Sequence, residues 1–229
     1  MEGKQLEVSH LGLYRGENTQ FLLNVETSID QKIAVSSLNV EVEKIVGDSQ
    51  ADKHFHGGID RVVYHYPLEH YAYFRQMHDF SGSDDAPRMG ENMSTQGLTE
   101  NDLNIGDVIQ IGGAVLQVSQ PRSPCFKVNF QFDDKTLSLI MQRTQRCGWL
   151  YRVITPGVIQ VSDSLVLQDR ISTISVATAI KWYFSEVFNE QGYEVLAKCP
   201  GLAVNWKNKL EKRLATGTIE DWQTRLYGS

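Results

Sequence analysis

Apolar and polar positions alternate with two different periods along this chain, and the change between them falls near Arg170. Before that point short apolar runs of period-two character dominate. Val8 to Tyr14 and Phe21 to Val25 read as strands divided by the turn-like cluster Arg15-Gly16-Glu17-Asn18. Ile33 to Val46 is rich in β-branched residues, with Val40, Val42 and Ile45 marking a strand that Gly47-Asp48 ends. After the apolar run from Val62 to Tyr66, Pro67 suits the first position of a helix whose stripe is Leu68, Tyr71, Phe74 and Met77, a core-packing pattern. His70 and His78 read as ordinary surface or half-buried histidines, residues 80–88 as a loop, and Thr99 with Asp102 as the cap of a short turn. Val108 to Ile111 and Ala114 to Val118 form a hairpin through Gly112-Gly113. Residues 133–146 have a helical pattern carrying Leu137, Ile140 and Met141. Trp149 to Val153 and Val158 to Val161 suggest a second hairpin around Thr155-Pro156-Gly157, and Leu165 and Leu167 close the sheet.

Beyond Arg170 the period becomes helical: Ser175 to Phe184, Tyr193 to Lys198, Ala203 to Leu214 and Ile219 to Tyr227, with Thr218 and Asp221 as an N-cap pair for the last. The expected architecture is a mainly β (α+β) domain over residues 1–170 followed by a small helical domain over residues 171–229. Charge changes at the same place. The first part carries 15 basic against 22 acidic residues and the second 7 against 6. The run Lys207, Lys209, Lys212, Arg213 reads first as a solvated helix face and second as a docking surface.

With 229 residues the chain can bury a core without staples. Its net charge of −6 argues against binding nucleic acid or a membrane surface through bulk charge. Three widely spaced cysteines make no disulfide framework, so a reducing cytoplasm is expected. No apolar run has signal-peptide length or approaches a membrane span.

Candidate chemistry concentrates at Val118 to Asn129, VSQPRSPCFKVN. Pro121 and Pro124 stiffen the segment and bar it from a central ladder, which leaves a stiff exposed corner bearing Cys125 between Arg122 and Lys127. Nearby cations favour the thiolate, the form that attacks electrophiles and binds soft metals. A small buried hydrophobe after a strand is the plain alternative. Cys147 and Cys199 lack such cations; Cys147, beside Gly148-Trp149, reads as structural and Cys199, before Pro200-Gly201, as a helix-end residue.

The second informative stretch is Ala51 to Tyr66. His54 and His56 point the same way on an extended chain. Gly57-Gly58 permits a sharp turn or close approach to a ligand, and Asp60 and Arg61 follow. Three residues separate His56 from Asp60, against one in the His-x-His-x-Asp pattern of metallo-β-lactamase-like zinc hydrolases. A histidine base for a Cys125 hydrolase would come from His54, His56 or His65. No phosphate-binding glycine loop is present.

Lys53-His54-Phe55-His56-Gly57-Gly58-Ile59-Asp60-Arg61, Gly90-Glu91-Asn92-Met93-Ser94-Thr95 with Gly97-Leu98, and Ser119-Gln120-Pro121-Arg122-Ser123-Pro124-Cys125 together resemble the MOSC family, named for the C-terminal domain of molybdenum cofactor sulfurase, in its YiiM-type branch. The resemblance covers nearly the whole chain. It implies a β-barrel-like MOSC domain, a C-terminal three-helix domain and a pocket for molybdenum cofactor (molybdopterin). Cys125 would be the metal ligand and, with Glu91, Asn92, His56 and Asp60, the catalytic set. Lys53, His54, Gly57, Gly58, Arg61, Arg122 and Lys127 would contact the cofactor. For Asp60 a loop-ordering contact stands beside a direct role. The implied activity is reduction of N-hydroxylated compounds such as 6-hydroxylaminopurine, detoxifying base analogues, with electrons from a separate flavoprotein reductase. A sulfur carrier holding a persulfide on Cys125 is the alternative, and a ligand-binding module without turnover is a third.

Overall fold

A curled sheet of nine strands forms a half-barrel, in the order β1-β13-β9-β10-β11-β7-β8-β2-β5. In this computed structural model residues 3–16, 20–22, 25–27, 29, 32–49, 57–77 and 86–228 are described. The strands are β1 (Lys4–Gln5), β2 (His10–Arg15), β5 (Ile33–Ala34), β7 (Val63–His65), β8 (Met93–Gln96), β9 (Val108–Ile111), β10 (Ala114–Pro121), β11 (Trp149–Thr155) and β13 (Leu165–Asp169). All neighbours are antiparallel except β7 and β8, which meet in parallel at His65 and Met93. Two further pairs stand apart: β3 (Gln20–Leu22) with β4 (Val25–Thr27), and β6 (Ser37–Val40) with β12 (Gly157–Gln160).

The period-two pattern explains the middle of the sheet. Ile109, Ile111, Ala114, Leu116 and Val118 are all fully buried on β9 and β10, with Gly112 taking a positive φ in the turn between them. The last part of β10, from Val118 to Pro121, is buried continuously, because that stretch is covered on its second face. Helix α4 (Val176–Tyr183) packs on β10, and the Ala203 N–H donates to the Ser119 carbonyl at 2.9 Å.

The other helices are α1 (Leu68–Met77), α2 (Phe126–Phe132), α3 (Leu137–Arg143), α5 (Glu190–Ala197), α6 (Val204–Thr216) and α7 (Gln223–Tyr227). Ser175 and Asn189 cap α4 and α5 by accepting from the N–H three residues on, at 3.1 and 3.0 Å. Helices α4 to α6 close around the stacked rings of Tyr183 and Trp206, 3.8 Å apart, and around the buried Arg213 guanidinium. Arg213 forks onto Glu220 at 2.7 Å through both Nε and Nη2.

Several expectations need correction. The segment from Ile33 to Val46 holds two short strands, β5 and β6, divided at Val35-Ser36, and β6 stops at Val40 because Glu41 to Lys44 make a tight turn closed by an N–H to carbonyl bond of 2.8 Å that leaves Val42 48% exposed. β11 and β12 do not pair with each other: β11 lies between β10 and β7, and β12 leaves to join β6. In the α1 stripe Tyr71 and Phe74 are core, but Met77 is 61% exposed. His70 is buried, its Nε2 lying 2.8 Å from a Glu100 carboxylate oxygen. Arg213 belongs to the interior of the helical domain and not to a solvated face, because Glu220 and three aromatic rings receive it. Asp221, without Thr218, supports the start of α7 by accepting from the Gln223 N–H. Residues 80–85 and His78 lie outside the described residues.

Candidate functional site around Cys125

β10 carries the chain to the site. β9 begins opposite Gln117, and the Val118 N–H and carbonyl still bond to Asp107 and Gly106 just before it, so from Ser119 onward β10 has a strand partner only on its β11 side, and Pro121 enters that ladder opposite Trp149. The expected exclusion from a central strand is thus met because β9 does not extend alongside Pro121. After Pro121 the Arg122 N–H donates to the Gly148 carbonyl at 3.1 Å. Gly148 has a φ of 68°, and a Cβ there would stand 2.3 Å from the His65 carbonyl oxygen, so only glycine allows this junction. Cys125 is extended (φ −132°, ψ 167°), and α2 starts directly after it.

The thiol sits on a bend, as the two prolines predict, but the bend is not exposed. Cys125 retains 7% of its surface; α2 runs on from it against α3 and α7, and Arg225 of α7 donates to the Pro124 carbonyl just before it. Arg122 crosses the face of Tyr64, 4.9 Å from guanidinium carbon to ring centroid, and its Nη1 is buried without a hydrogen-bond partner. Burial works against the Arg122 charge. The Tyr64 phenol and the Cys125 and Cys147 thiols outweigh it and hold the guanidinium above its ordinary range. Lys127 follows on the first turn of α2, half-buried.

A second guanidinium comes from the far end of the chain. Arg225 on α7 donates from Nη1 to the Pro124 carbonyl and from Nη2 to Gln142 Oε1 at 2.6 Å. Burial pushes its pKa down, while Tyr183, Cys147, Cys125 and Glu220 push the other way. The Leu226 carbonyl accepts from Asn129 Nδ2 at 2.8 Å and Ser138 Oγ at 3.0 Å, which stitches α7 to α2 and α3. Nothing local in the sequence announces Arg225: its partner Pro124 lies 101 positions away.

Asp60 and Arg61 occupy a 3-10 turn, Ile59–Arg61. The Asp60 carboxylate takes the Arg152 guanidinium at 2.7 Å and the Val204 N–H at 3.3 Å, and its carbonyl accepts from Ser119 Oγ at 2.6 Å. It orders the turn and ties it to β11, β10 and the start of α6. The loop-ordering contact is therefore present, made to Arg152 and a backbone amide rather than to Arg61. Gly58 is exposed with φ 108°, and Gly57 is half-buried. Burial disfavours the Arg61 charge, and Asp60 and Tyr183 favour it. Lys209 is disfavoured first by burial and then by Arg225, Arg61 and Arg213, with Glu220 opposing. Cations from both parts of the chain therefore gather on this side.

Glu91 is fully buried and already occupied: the Tyr71 hydroxyl donates to it at 2.6 Å, the Met89 N–H at 3.0 Å and Ser94 Oγ at 3.2 Å. Burial raises its pKa despite those donors. Asn92 Nδ2 donates to Asp48 at 2.8 Å, and its Oδ1 accepts from the Tyr64 N–H at 3.2 Å. Both act as internal braces of the loop behind Tyr64. The structure thus joins Arg122 and Cys125 on one turn and sets Glu91 and Asn92 inside the wall. Lys53, His54 and His56 lie outside the described residues. His65 is no base for Cys125: both its nitrogens are held, by Tyr151 at 3.1 Å and Thr95 at 2.8 Å, and burial lowers its pKa to about 3. Cys147 is fully buried, with its thiol pushed far up by burial, and Cys199 is buried at a helix end.

Two family models account for most of the chain. The MOSC domain matches residues 52–166, and the YiiM-like 3-alpha helix domain matches residues 174–217. The chain belongs to the MOSC family. It is 41% identical to protein YiiM of Escherichia coli over 87% of this chain and 88% of that one. The crystal structure of YiiM from Escherichia coli superposes with a TM-score of 0.82, covering 95% and 98% of the two chains at 35% identity. That of YiiM from Geobacillus stearothermophilus gives 0.74, covering 89% and 97% at 29% identity. A protein named reductase from Gibberella moniliformis is 35% identical over 55% of this chain and 23% of its own. Helix α7, with Arg225, lies beyond both matched stretches of this MOSC chain.

Proposed function

We propose that this MOSC protein is a molybdenum-cofactor-dependent reductase of N-hydroxylated compounds, 6-hydroxylaminopurine among them. In this reading it works in the cytoplasm, removes mutagenic base analogues and receives electrons from a separate flavoprotein. The observation that carries the reading is the Cys125 turn itself: one thiol, two guanidinium groups, and a buried Arg122 Nη1 without a partner.

The residues fit the cofactor. Among the described residues no group of three His, Cys, Asp or Glu side chains could hold a metal ion. A single thiolate suits a soft metal that brings its remaining ligands on its own organic group. Arg122 and Arg225 supply the positive charge that a phosphate-bearing, dithiolene-bearing group requires. When bound, the cofactor would supply the two-electron chemistry that takes oxygen from nitrogen. The chain's own part is to hold it by Cys125, to neutralise its charge with Arg122 and Arg225, and to keep the wall rigid through Tyr64, Glu91 and Asn92. The reductase name of the Gibberella moniliformis relative accords with a redox activity.

The test is turnover of an N-hydroxylated base by protein purified from a cofactor-competent host, with a chemical reductant in place of the donor. The wild type should form the amine, and Cys125→Ser should lose at least about 100-fold. Metal-free protein that carries cyanide-releasable sulfur on Cys125 would instead establish the sulfur carrier, and holo-protein inert towards every hydroxylamine would leave a binding module.

A further inference from the structure

Two guanidinium groups meet at the cysteine turn, and no carboxylate among the described residues is hydrogen-bonded to either. Arg225 gives its hydrogen bonds to the Pro124 carbonyl and the Gln142 side-chain oxygen, both neutral. Glu220, the acid whose charge reaches it, is held by the Arg213 fork. Arg122 rests on the Tyr64 ring and leaves Nη1 buried and unpartnered. Covering a cation without a counter-charge is unfavourable, and a chain with a net charge of −6 does not lack acids to place there.

α7 is also anchored for this purpose. It has five residues, too few to be stable alone, and it is held by Leu226 in the core and by the Leu226 carbonyl on Asn129 and Ser138. Those anchors carry Arg225 to the carbonyl immediately before Cys125.

We propose that Arg225 is a positioning residue of the Cys125 site: from the last helix it fixes the Pro124 carbonyl and, with Arg122, shapes the space at the thiol for a ligand that presents negative charge to the sulfur. This rests on Cys125 being the functional thiol, as proposed above, and it assigns part of the site to a segment beyond the family's matched domains.

The experiment uses the full-length chain from a host lacking the cofactor, so its result does not depend on molybdenum. Cys125 is alkylated with neutral iodoacetamide and with anionic iodoacetate, and the label is located by peptide mass spectrometry. The wild type should show a raised iodoacetate-to-iodoacetamide rate ratio. Arg225→Met should lower that ratio by about three- to tenfold, because the missing charge acts only on the anion. Arg225→Lys, which keeps charge but loses the fork, should retain most of the ratio while both rates rise as the turn loosens. The exposed Lys212→Met should change neither. An unchanged ratio in folded Arg225→Met overturns the proposal, as does an equal change in both rates. If Arg225→Met does not fold, a folded Arg225→Lys with a ratio no higher than that of free cysteine overturns it too.

Discussion

Burial without a proton gives His65 a measurable signature. Its ring packs at a tilt against Trp149 with centroids 4.3 Å apart, and its pKa falls from the ordinary 6.5 to about 3. The unfolded chain therefore binds a proton that the folded chain refuses between those values. Stability from this residue is complete above pH 6.5 and is lost as pH falls towards 3, roughly 4–5 kcal/mol in all. Urea midpoints of wild type should drop between about pH 7 and about pH 4, and His65→Phe should drop less. An identical fall in both would contradict the assignment. Glu91 has the opposite sign. Its raised pKa makes the folded state the better proton binder just above the ordinary carboxylate range, so its contribution is greatest below that range and is lost as pH rises. Tyr71→Phe removes its shortest hydrogen bond, 2.6 Å, and should cost about 1–3 kcal/mol at neutral pH by chemical denaturation. A loss below about 0.5 kcal/mol would contradict a net stabilising role for the Tyr71 hydroxyl.

Among the elements, α6 carries an arginine that the charge run places on a solvated face, and α7 carries one that no local pattern marks. Arg213 on α6 is almost fully buried, forked onto Glu220, and donates from Nη1 to the Tyr183 carbonyl at 2.6 Å. Arg213→Met leaves Glu220 without its partner. Glu220 keeps about a third of its exposure, so solvent screens the loss and the cost should be about 2 kcal/mol rather than the full value for a buried pair. It should be read as early loss of helical circular dichroism on heating. Deleting residues 223–229 removes the acceptor of Asn129 and Ser138, and it should speed amide hydrogen exchange over residues 124–138 while the β9–β10 hairpin stays protected. Equal deprotection of both would show a global effect. The hairpin and the presence of four late helices were legible because each is written in local period, with Gly112-Gly113 marking the turn, whereas the Asn189 cap that starts α5 before Tyr193 and the late start of α7 at Gln223 were not. β12 leaving β11 for β6 was not legible, since Pro156-Gly157 signals a turn without saying which strand is met afterwards.

For the whole molecule, the half-barrel and the helical domain are joined at the site. Asp60 reaches from the barrel to the Val204 N–H, Ser119 to Ala203, and Arg225 from the last helix to Pro124. The helical domain is thus part of the wall around Cys125. The motif that carries Cys125 and Arg122 could be read from the sequence, because the two lie on one short stretch. Their partners could not, because Arg122 rests on Tyr64 and the turn is held by Arg225 of α7, both far away in the chain. The central claim is that Cys125 holds molybdenum cofactor, and elemental analysis of protein from a cofactor-competent host tests it most directly. Close to one molybdenum per chain is expected in wild type and in Cys199→Ser, and almost none in Cys125→Ser. Equal molybdenum in wild type and Cys125→Ser, or none in either, would contradict it.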